Sequence, residues 1–131
     1  MFSTKGRYAI RLMIDLAKHQ DDNYIALKDV ALRQDISKKY LEIIVKDLVE
    51  AGLLEGKPGK SGGYKLSRKP EEYTVAEILE IMEGTLAPVA CLEENAAPCP
   101  RAPNCETLPM WKEFHGKVSD FFHDKKISDL I

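Results

Sequence analysis

The sequence predicts a mainly α-helical protein that carries one small β-hairpin. Three observations favour this class. Apolar residues recur at three- and four-residue steps in several segments, as on one face of a helix. A glycine-rich stretch, Gly56 to Gly63, separates two short apolar runs, as in a hairpin. The 131 residues, of which 44% are hydrophobic and 31% charged, have ordinary globular composition and suffice for one compact domain.

The helical spacing begins near the N-terminus. Ser3 or Thr4 is placed to cap a first helix, whose apolar residues face a core and which ends at the polar stretch His19 to Asn23. A short segment with one apolar face, Leu27 to Asp35, follows. A tight link at Ile36 leads into the next helix.

A longer helix is predicted from Ser37 to about Ala51, and Gly52 is placed to end it. Its inward stripe is apolar: Leu41, Ile44, Val45 and Leu48. Its opposite side is mostly basic: Lys38, Lys39, Glu42 and Lys46. A short helix, a turn and a longer helix with a basic outer face are typical of a helix-turn-helix motif.

The glycine-rich stretch after this helix predicts a hairpin. Leu53 and Leu54 form one expected strand and Tyr64 to Leu66 the other. The residues between them, Gly56 to Gly63, include four glycines, one proline and two lysines. A hairpin with a basic, flexible tip beside a helix-turn-helix is called a wing, so the sequence predicts a winged helix-turn-helix domain.

Beyond the wing, the chain predicts a helix, a loop and a last helix. Thr74 and Glu77 form a capping box that opens a helix closed by Gly84. Pro88 to Pro109 contains five prolines and no periodicity, which predicts a long loop. From about Leu108 to Lys126, aromatic residues follow helical spacing, and we expect a long dimerisation helix rather than one that packs on its own domain. We therefore expect a winged helix-turn-helix domain over residues 1–84, a sensor loop rich in cysteine and proline over 85–109, and a dimerisation helix and tail over 110–131.

Charge is divided unevenly along the chain. Residues 1–69 carry 14 Lys and Arg against 9 Asp and Glu, whereas residues 70–131 carry 5 against 12. A basic front half favours an anionic partner, and the alternative is ordinary solvated charge. With a winged helix-turn-helix, the expected partner is double-stranded DNA, because the major groove admits a helix and lysines contact phosphates.

The candidate DNA-binding residues lie at the start of the first helix, on the longer helix and in the wing. The lysines and Arg7 are expected to contact the backbone, with the wing in or over the minor groove. Glu42 is expected to accept a hydrogen bond from a cytosine amino group and so to discriminate sequence. The full set is Lys5, Arg7, Ser37, Lys38, Lys39, Tyr40, Glu42, Lys46, Lys57, Lys60, Ser61 and Tyr64.

Three cysteines, Cys91, Cys99 and Cys105, lie together in the proline-rich loop. Three thiolates from one segment are able to hold an iron-sulfur cluster that takes one further ligand, or three corners of a zinc site. The absence of a closely spaced cysteine pair counts against zinc, and a thiol-disulfide switch is a further alternative. His115 and His123 are expected to be surface residues of the last helix rather than ligands.

The sequence does not favour a membrane protein, a secreted protein or an enzyme. No apolar run approaches the roughly 18 to 20 residues of a membrane-spanning helix, and the N-terminus lacks an uninterrupted signal-peptide core, so we expect a cytosolic protein. No phosphate-binding loop or nucleophile elbow is present in the sequence, and we expect no enzyme activity.

Several motifs agree, in order, with those of a known family. They are the opening STKGRYA, the phrase ISKKYLEIIVKDL, the wing GKPGKSGGYKL, and the three-cysteine loop before an aromatic helix that starts at MW. With these motifs the chain resembles the Rrf family of bacterial winged-helix transcription regulators, and in particular its cluster-sensing branch. The resemblance runs from Ser3 to the terminal ISDLI.

The resemblance implies a homodimer, built on the last helix, that binds a palindromic operator and acts as a repressor of iron-sulfur assembly, cysteine metabolism or stress genes. It implies a 2Fe-2S or 4Fe-4S cluster on the three cysteines. The positions that supply a fourth ligand in other members are here Leu108 and Tyr8, which leaves an exogenous ligand or a nearby carboxylate, from Glu93, Glu94 or Glu106. Pro58 replaces a common wing arginine, so Lys57 or Lys60 must supply that charge.

Two other classes remain open. One is a cluster-free regulator that senses through thiol oxidation or a partner protein. The other is an iron-sulfur carrier or enzyme subunit with a vestigial DNA domain.

Overall fold

The computed structural model describes residues 2–21 and 23–131. Asp22, in the predicted end of the first helix, lies outside the described residues, as does Met1. The described chain forms five α-helices and one antiparallel hairpin, which confirms the predicted fold class. The elements are α1 (Thr4–Lys18), α2 (Leu27–Gln34), α3 (Lys38–Glu50), β1 (Leu54–Lys57), β2 (Gly63–Leu66), α4 (Val75–Glu83) and α5 (Leu108–Asp124).

Side-chain caps begin three of the helices where the sequence places them. The hydroxyl of Ser3 accepts a hydrogen bond from the backbone N–H of Gly6 (3.0 Å), and that of Ser37 accepts one from Tyr40 (3.1 Å). Such caps satisfy N–H groups that have no partner within the helix.

The predicted capping box of α4 is only half formed. Thr74 accepts a hydrogen bond from the backbone N–H of Glu77 (3.1 Å). The Glu77 carboxylate does not reach back to the cap, because it pairs instead with the Arg68 guanidinium at 2.7 and 3.2 Å. A long-range ion pair therefore replaces the local contact that the sequence predicted.

The hairpin strands differ from their predicted bounds. The ladder runs from Leu54 opposite Leu66 to Lys57 opposite Gly63, so the tip shrinks to five residues, 58–62. A further segment joins the hairpin: Ile25 and Tyr64 exchange two backbone hydrogen bonds of 2.9 Å. Gly63 has a φ of +149°, and a Cβ there would overlap the Ile25 carbonyl. Only glycine permits this approach, which ties the wing to the segment before α2.

The core is formed by helices α1 to α4, the hairpin and Ile127 of the C-terminal tail. The inward stripe predicted for α3, Leu41, Ile44, Val45 and Leu48, is buried, as predicted. The tail returns after α5: the Ile127 side chain is fully buried, and its N–H donates to the Tyr73 carbonyl (3.1 Å). Ile127 is therefore part of the front core, which the sequence pattern did not indicate.

Helix α5 packs on the rest of the chain along one edge only. All of α5 lies in the described part of the chain, and none of its residues is buried. Phe122 packs against the small cluster around Leu79 and meets the Phe2 ring edge-on, with 5.3 Å between ring centroids. In the described residues, no helix is long and apolar enough to cross a membrane.

Candidate nucleic-acid interface and cysteine cavity

The outer face of α3 is exposed as the sequence predicts. Lys38, Lys39, Glu42 and Lys46 are exposed, and Tyr40 is half-buried. Ser37 is exposed and uses its hydroxyl as the helix cap. The outer face of α3 therefore presents three lysines and one carboxylate to any molecule that approaches it, with Lys38, Lys39 and Glu42 in the N-terminal half of the helix and Lys46 in the C-terminal half.

The side chains at the start of α1 make contacts within the chain. The Lys5 ammonium lies 2.5 Å from a carboxylate oxygen of Asp47, and each side chain is about one-third exposed. This ion pair ties α1 to α3, a contact that the sequence did not indicate. Arg7 is exposed, and its guanidinium donates to the Thr4 hydroxyl at 3.2 Å.

The wing places Lys57, Lys60 and Ser61 on its exposed surface. The Lys57 ammonium lies 5.7 Å from the ring centroid of Tyr24, and that of Lys65 lies 4.8 Å from the same centroid. Such cation–π contacts hold the lysine stems near the base of the wing. Tyr64 is half-buried and packs against the core, so most of its ring supports the hairpin.

A buried carboxylate fixes α1 against α2. Asp15 is 1% exposed, and its oxygens accept hydrogen bonds from Arg33 (2.7 and 3.1 Å) and Gln34 (2.9 Å). Burial acts to raise the pKa of Asp15, but the hydrogen bonds from Arg33 and Gln34 outweigh it, so the pKa lies below its usual value. The signal for this contact in the sequence is an acidic residue within the apolar stripe of α1.

The three cysteines line one cavity of about 270 Å³ beside the N-terminal end of α5. Cys91 and Cys99 are exposed, and Cys105 is half-buried. Leu108, at one of the positions where the resemblance places a fourth ligand, lines the same cavity, as does Lys112. The three cysteines of the loop therefore line the same cavity.

The pKa of the Cys105 thiol is lowered from its ordinary value. A hydrogen bond with the Thr107 hydroxyl, 3.4 Å from the sulfur, lowers the pKa of Cys105, and the backbone N–H groups of Thr107 and Leu108 act in the same direction. A thiolate is both the metal-binding and the nucleophilic form of cysteine.

The donor chemistry of the cavity fits a cluster held by three thiolates, but the ligand set is not closed. Within residues 2–21 and 23–131, no three His, Cys, Asp or Glu side chains lie close enough together to hold a metal ion. Of the acidic candidates for a fourth ligand, Glu93 and Glu94 line a separate cavity of about 650 Å³ beside His115. Tyr8 lies on α1, where its ring meets that of Tyr40.

Comparison with known proteins agrees with this architecture. A family model described as Rrf2, an iron-dependent transcriptional regulator, matches residues 2–131. The protein rrf2 of Nitratidesulfovibrio vulgaris is 40% identical over 111 residues, which are 85% of this chain and 73% of that protein.

Two solved structures are similar over nearly the whole chain. CymR, the global cysteine regulator of B. subtilis, superposes with a TM-score of 0.80 at 32% identity and covers 99% of this chain and 95% of its own. IscR of T. potens gives a TM-score of 0.75 at 28% identity and covers 99% and 85%. The resemblance inferred from the sequence motifs is confirmed: this chain belongs to the Rrf2 family of winged-helix transcription regulators.

Proposed function

We propose that the protein is a cytosolic homodimer whose binding to a palindromic operator in double-stranded DNA is modulated by an iron-sulfur cluster on Cys91, Cys99 and Cys105. The observation that carries the proposal is the single cavity that these three thiols line. Its lining residues belong to the loop that follows α4 and to the first turns of α5.

The DNA contacts are assigned by exposure and charge. The N-terminal half of α3 would enter the major groove, with Lys38 and Lys39 on phosphates there and Lys46, further along the helix, on a phosphate at the edge of the groove. Glu42 is exposed on the same face and would accept a hydrogen bond from a cytosine amino group. Lys57 and Lys60 of the wing would lie along the neighbouring minor groove.

The dimer is assigned to the exposed apolar face of α5. Met110 is 53% exposed, Phe114 38% and Phe121 55%. Three large apolar side chains along one helix expose more apolar surface than scattered single residues do. A second α5 across a two-fold axis offers a matching face, because a two-fold interface pairs the same patch on both subunits.

The proposed coupling between cluster binding and DNA binding depends on how the two ends of α5 are held. Its C-terminal end is fixed by Phe122 and by the buried Ile127, whereas its N-terminal end directly follows the cysteine loop. The cluster would supply an iron- and redox-sensitive cross-link among the three thiolates. If these thiolates were bound, the loop would fix the N-terminal end of α5 against α4. This would set the relative orientation of the two α3 helices, one from each subunit of the proposed dimer.

The first test is the visible spectrum of protein purified without oxygen, with iron and acid-labile sulfide measured on the same sample. We expect charge-transfer bands with matched iron and sulfide, and their loss in the triple Cys→Ser variant. His115→Ala, next to the neighbouring cavity, is the matched control and should keep both. Operator affinity should differ between the loaded protein and the triple variant. The proposal would be contradicted if the wild type contained no iron or sulfide and if it bound the operator with the same affinity as the triple variant.

A cluster-free thiol switch is the second candidate, and the lowered pKa of the Cys105 thiol favours it. Two cysteine thiols and one hydrogen peroxide would give one disulfide and two waters. For metal-free protein, peroxide should then change operator affinity, and mass spectrometry should show a disulfide that involves Cys105. A Cys105→Ser variant that responds to peroxide like the wild type would contradict this candidate.

A further inference from the structure

The outer face of α3 carries an apolar side chain among its charges. Ile43 is 54% exposed, although its neighbours Ile44 and Val45 are in the core. Lys39 lies four residues before Ile43 and Lys46 three residues after it, so the three side chains share one face of the helix. A surface that meets DNA through these two lysines therefore also meets it through Ile43.

A lone exposed apolar residue is common on protein surfaces, so the exposure of Ile43 is informative only because of its position. A β-branched residue has lower helix propensity than lysine or glutamate, and here it stays more than half exposed. Val49, on the same helix, is also exposed, at 38%. It lies six residues further on, or about 9 Å along the helix axis, towards the end that leaves the groove.

An isoleucine in the major groove has no group that forms hydrogen bonds with base edges. Against most bases it would strip water from donors and acceptors without replacing the lost hydrogen bonds, which is unfavourable. Thymine differs, because it presents an apolar C5-methyl group in the major groove. Burial of that methyl against Ile43 is favourable and requires no polar partner.

We propose that Ile43 is a specificity-determining residue that contacts the C5-methyl group of one thymine in each half-site. The inference rests on the proposed function, since it requires α3 to enter the major groove. It adds an apolar readout next to Glu42, whose carboxylate is assigned to cytosine. Adjacent side chains on one helix would then select the two pyrimidines by different chemistry.

The test uses the full-length protein and a duplex recovered from a randomised pool by repeated selection on it. Each thymine of that duplex is replaced in turn by deoxyuridine, which keeps the hydrogen-bonding edges of thymine and lacks only the methyl group. We expect one position per half-site at which the wild type binds about fourfold more weakly, the effect of burying one methyl group. Ile43→Ala should bind the thymine duplex more weakly by a similar factor and show no further loss with deoxyuridine there.

Two variants serve as controls. Ile43→Val retains a branched apolar side chain and should keep the sensitivity to deoxyuridine. Val49→Ala removes an exposed apolar residue from the far end of α3 and should behave like the wild type at every position. Because Ile43 and Val49 are exposed, each variant should keep the circular dichroism and melting temperature of the wild type.

The possible failures are distinguishable. If selection yields a specific duplex but deoxyuridine affects the wild type and Ile43→Ala equally at every position, the role of Ile43 is wrong and the proposed DNA-binding function stands. If selection enriches no sequence and binding shows no salt dependence, the proposed function fails and this inference fails with it.

Discussion

Helices α3 and α5 have the same amphipathic periodicity and use it differently. The stripe of α3, Leu41, Ile44, Val45 and Leu48, is buried within its own chain, and the charged face is left outside. In α5, which is fully described, no residue is buried, and Phe121 is 55% exposed. Periodicity thus shows that a helix face needs an apolar partner, but not whether that partner belongs to the same chain.

The largest effect is expected from Ile44→Ala in the core stripe of α3. Removal of three carbons from a fully buried side chain leaves a cavity, so we expect a loss of about 3 kcal/mol in the free energy of unfolding. Urea denaturation would measure it. Ile43→Ala, one residue away and exposed, is the matched control and should cost less than about 0.5 kcal/mol. Equal losses for the two variants would mean that α3 is not packed as described.

The second prediction concerns Asp15, which holds α2 to α1 within the same chain. Asp15→Asn removes the charge while Arg33 stays about one-third exposed, so we expect a loss of about 2 kcal/mol near neutral pH, below the range for a fully buried ion pair. Because the pKa of Asp15 is lowered in the folded state, its contribution is complete above the ordinary value of 3.8 and is lost as pH falls below it.

The stability of wild type and Asp15→Asn should therefore converge as the medium is made more acidic than pH 3.8. Urea midpoints measured at several pH values would show this. A difference between the two proteins that stays constant down to the lowest pH at which both fold would contradict the assigned role of the Asp15 charge.

The third prediction tests the apolar face of α5. We expect Phe121→Ala to weaken dimerisation by about tenfold, or about 1.4 kcal/mol, because it removes an aromatic side chain from the proposed interface. Sedimentation equilibrium over a range of concentrations would measure the dissociation constant. Ser119→Ala, on the opposite side of the same helix, is the control and should leave the dissociation constant unchanged. A monomeric wild type would contradict the partner assigned to this face.

The smallest expected effect is a loss of DNA affinity when one lysine is removed from α3, compared with the removal of one lysine from α5. Lys46→Ala on α3 should weaken binding to specific and random DNA alike, by roughly fivefold at physiological salt, and lower the salt slope by about one. Lys117→Ala on α5 should change neither, since Lys117 pairs only with Glu113 at the surface (3.3 Å). A similar loss of DNA affinity in both variants would show that the phosphate contacts are not confined to α3.

Features that depend on neighbouring residues were predictable from the sequence. Ser3 caps α1 and Thr74 caps α4 as predicted, and Ser37 caps α3 at the predicted start of that helix, because a capping side chain reaches only two or three residues along the chain. The bounds of the hairpin were less accurate. Leu53 is buried outside the ladder, while the strands extend towards the glycine-rich tip through Lys57 and Gly63.

The candidate site was predictable in part. The exposed lysines of α3 and of the wing follow from periodicity and composition, and three cysteines in one loop are visible in the sequence. Their common cavity, the contacts of Tyr24 with Lys57 and Lys65, and the Lys5–Asp47 ion pair were not predictable. Each of these features joins side chains whose distance depends on how separate elements pack.

The sequence by itself determined the helices, their inward and outward faces, the glycine-rich wing and the family. Only the tertiary structure decided that Ile127 returns to the front core, that Ile25 pairs with Tyr64, and that Asp15 is buried beneath Arg33. The physical reason is the range of the interactions. Helix periodicity, caps and turns are satisfied within a few residues, whereas a buried tail or a buried charge is stable only where distant segments provide the surrounding surface and the hydrogen bonds.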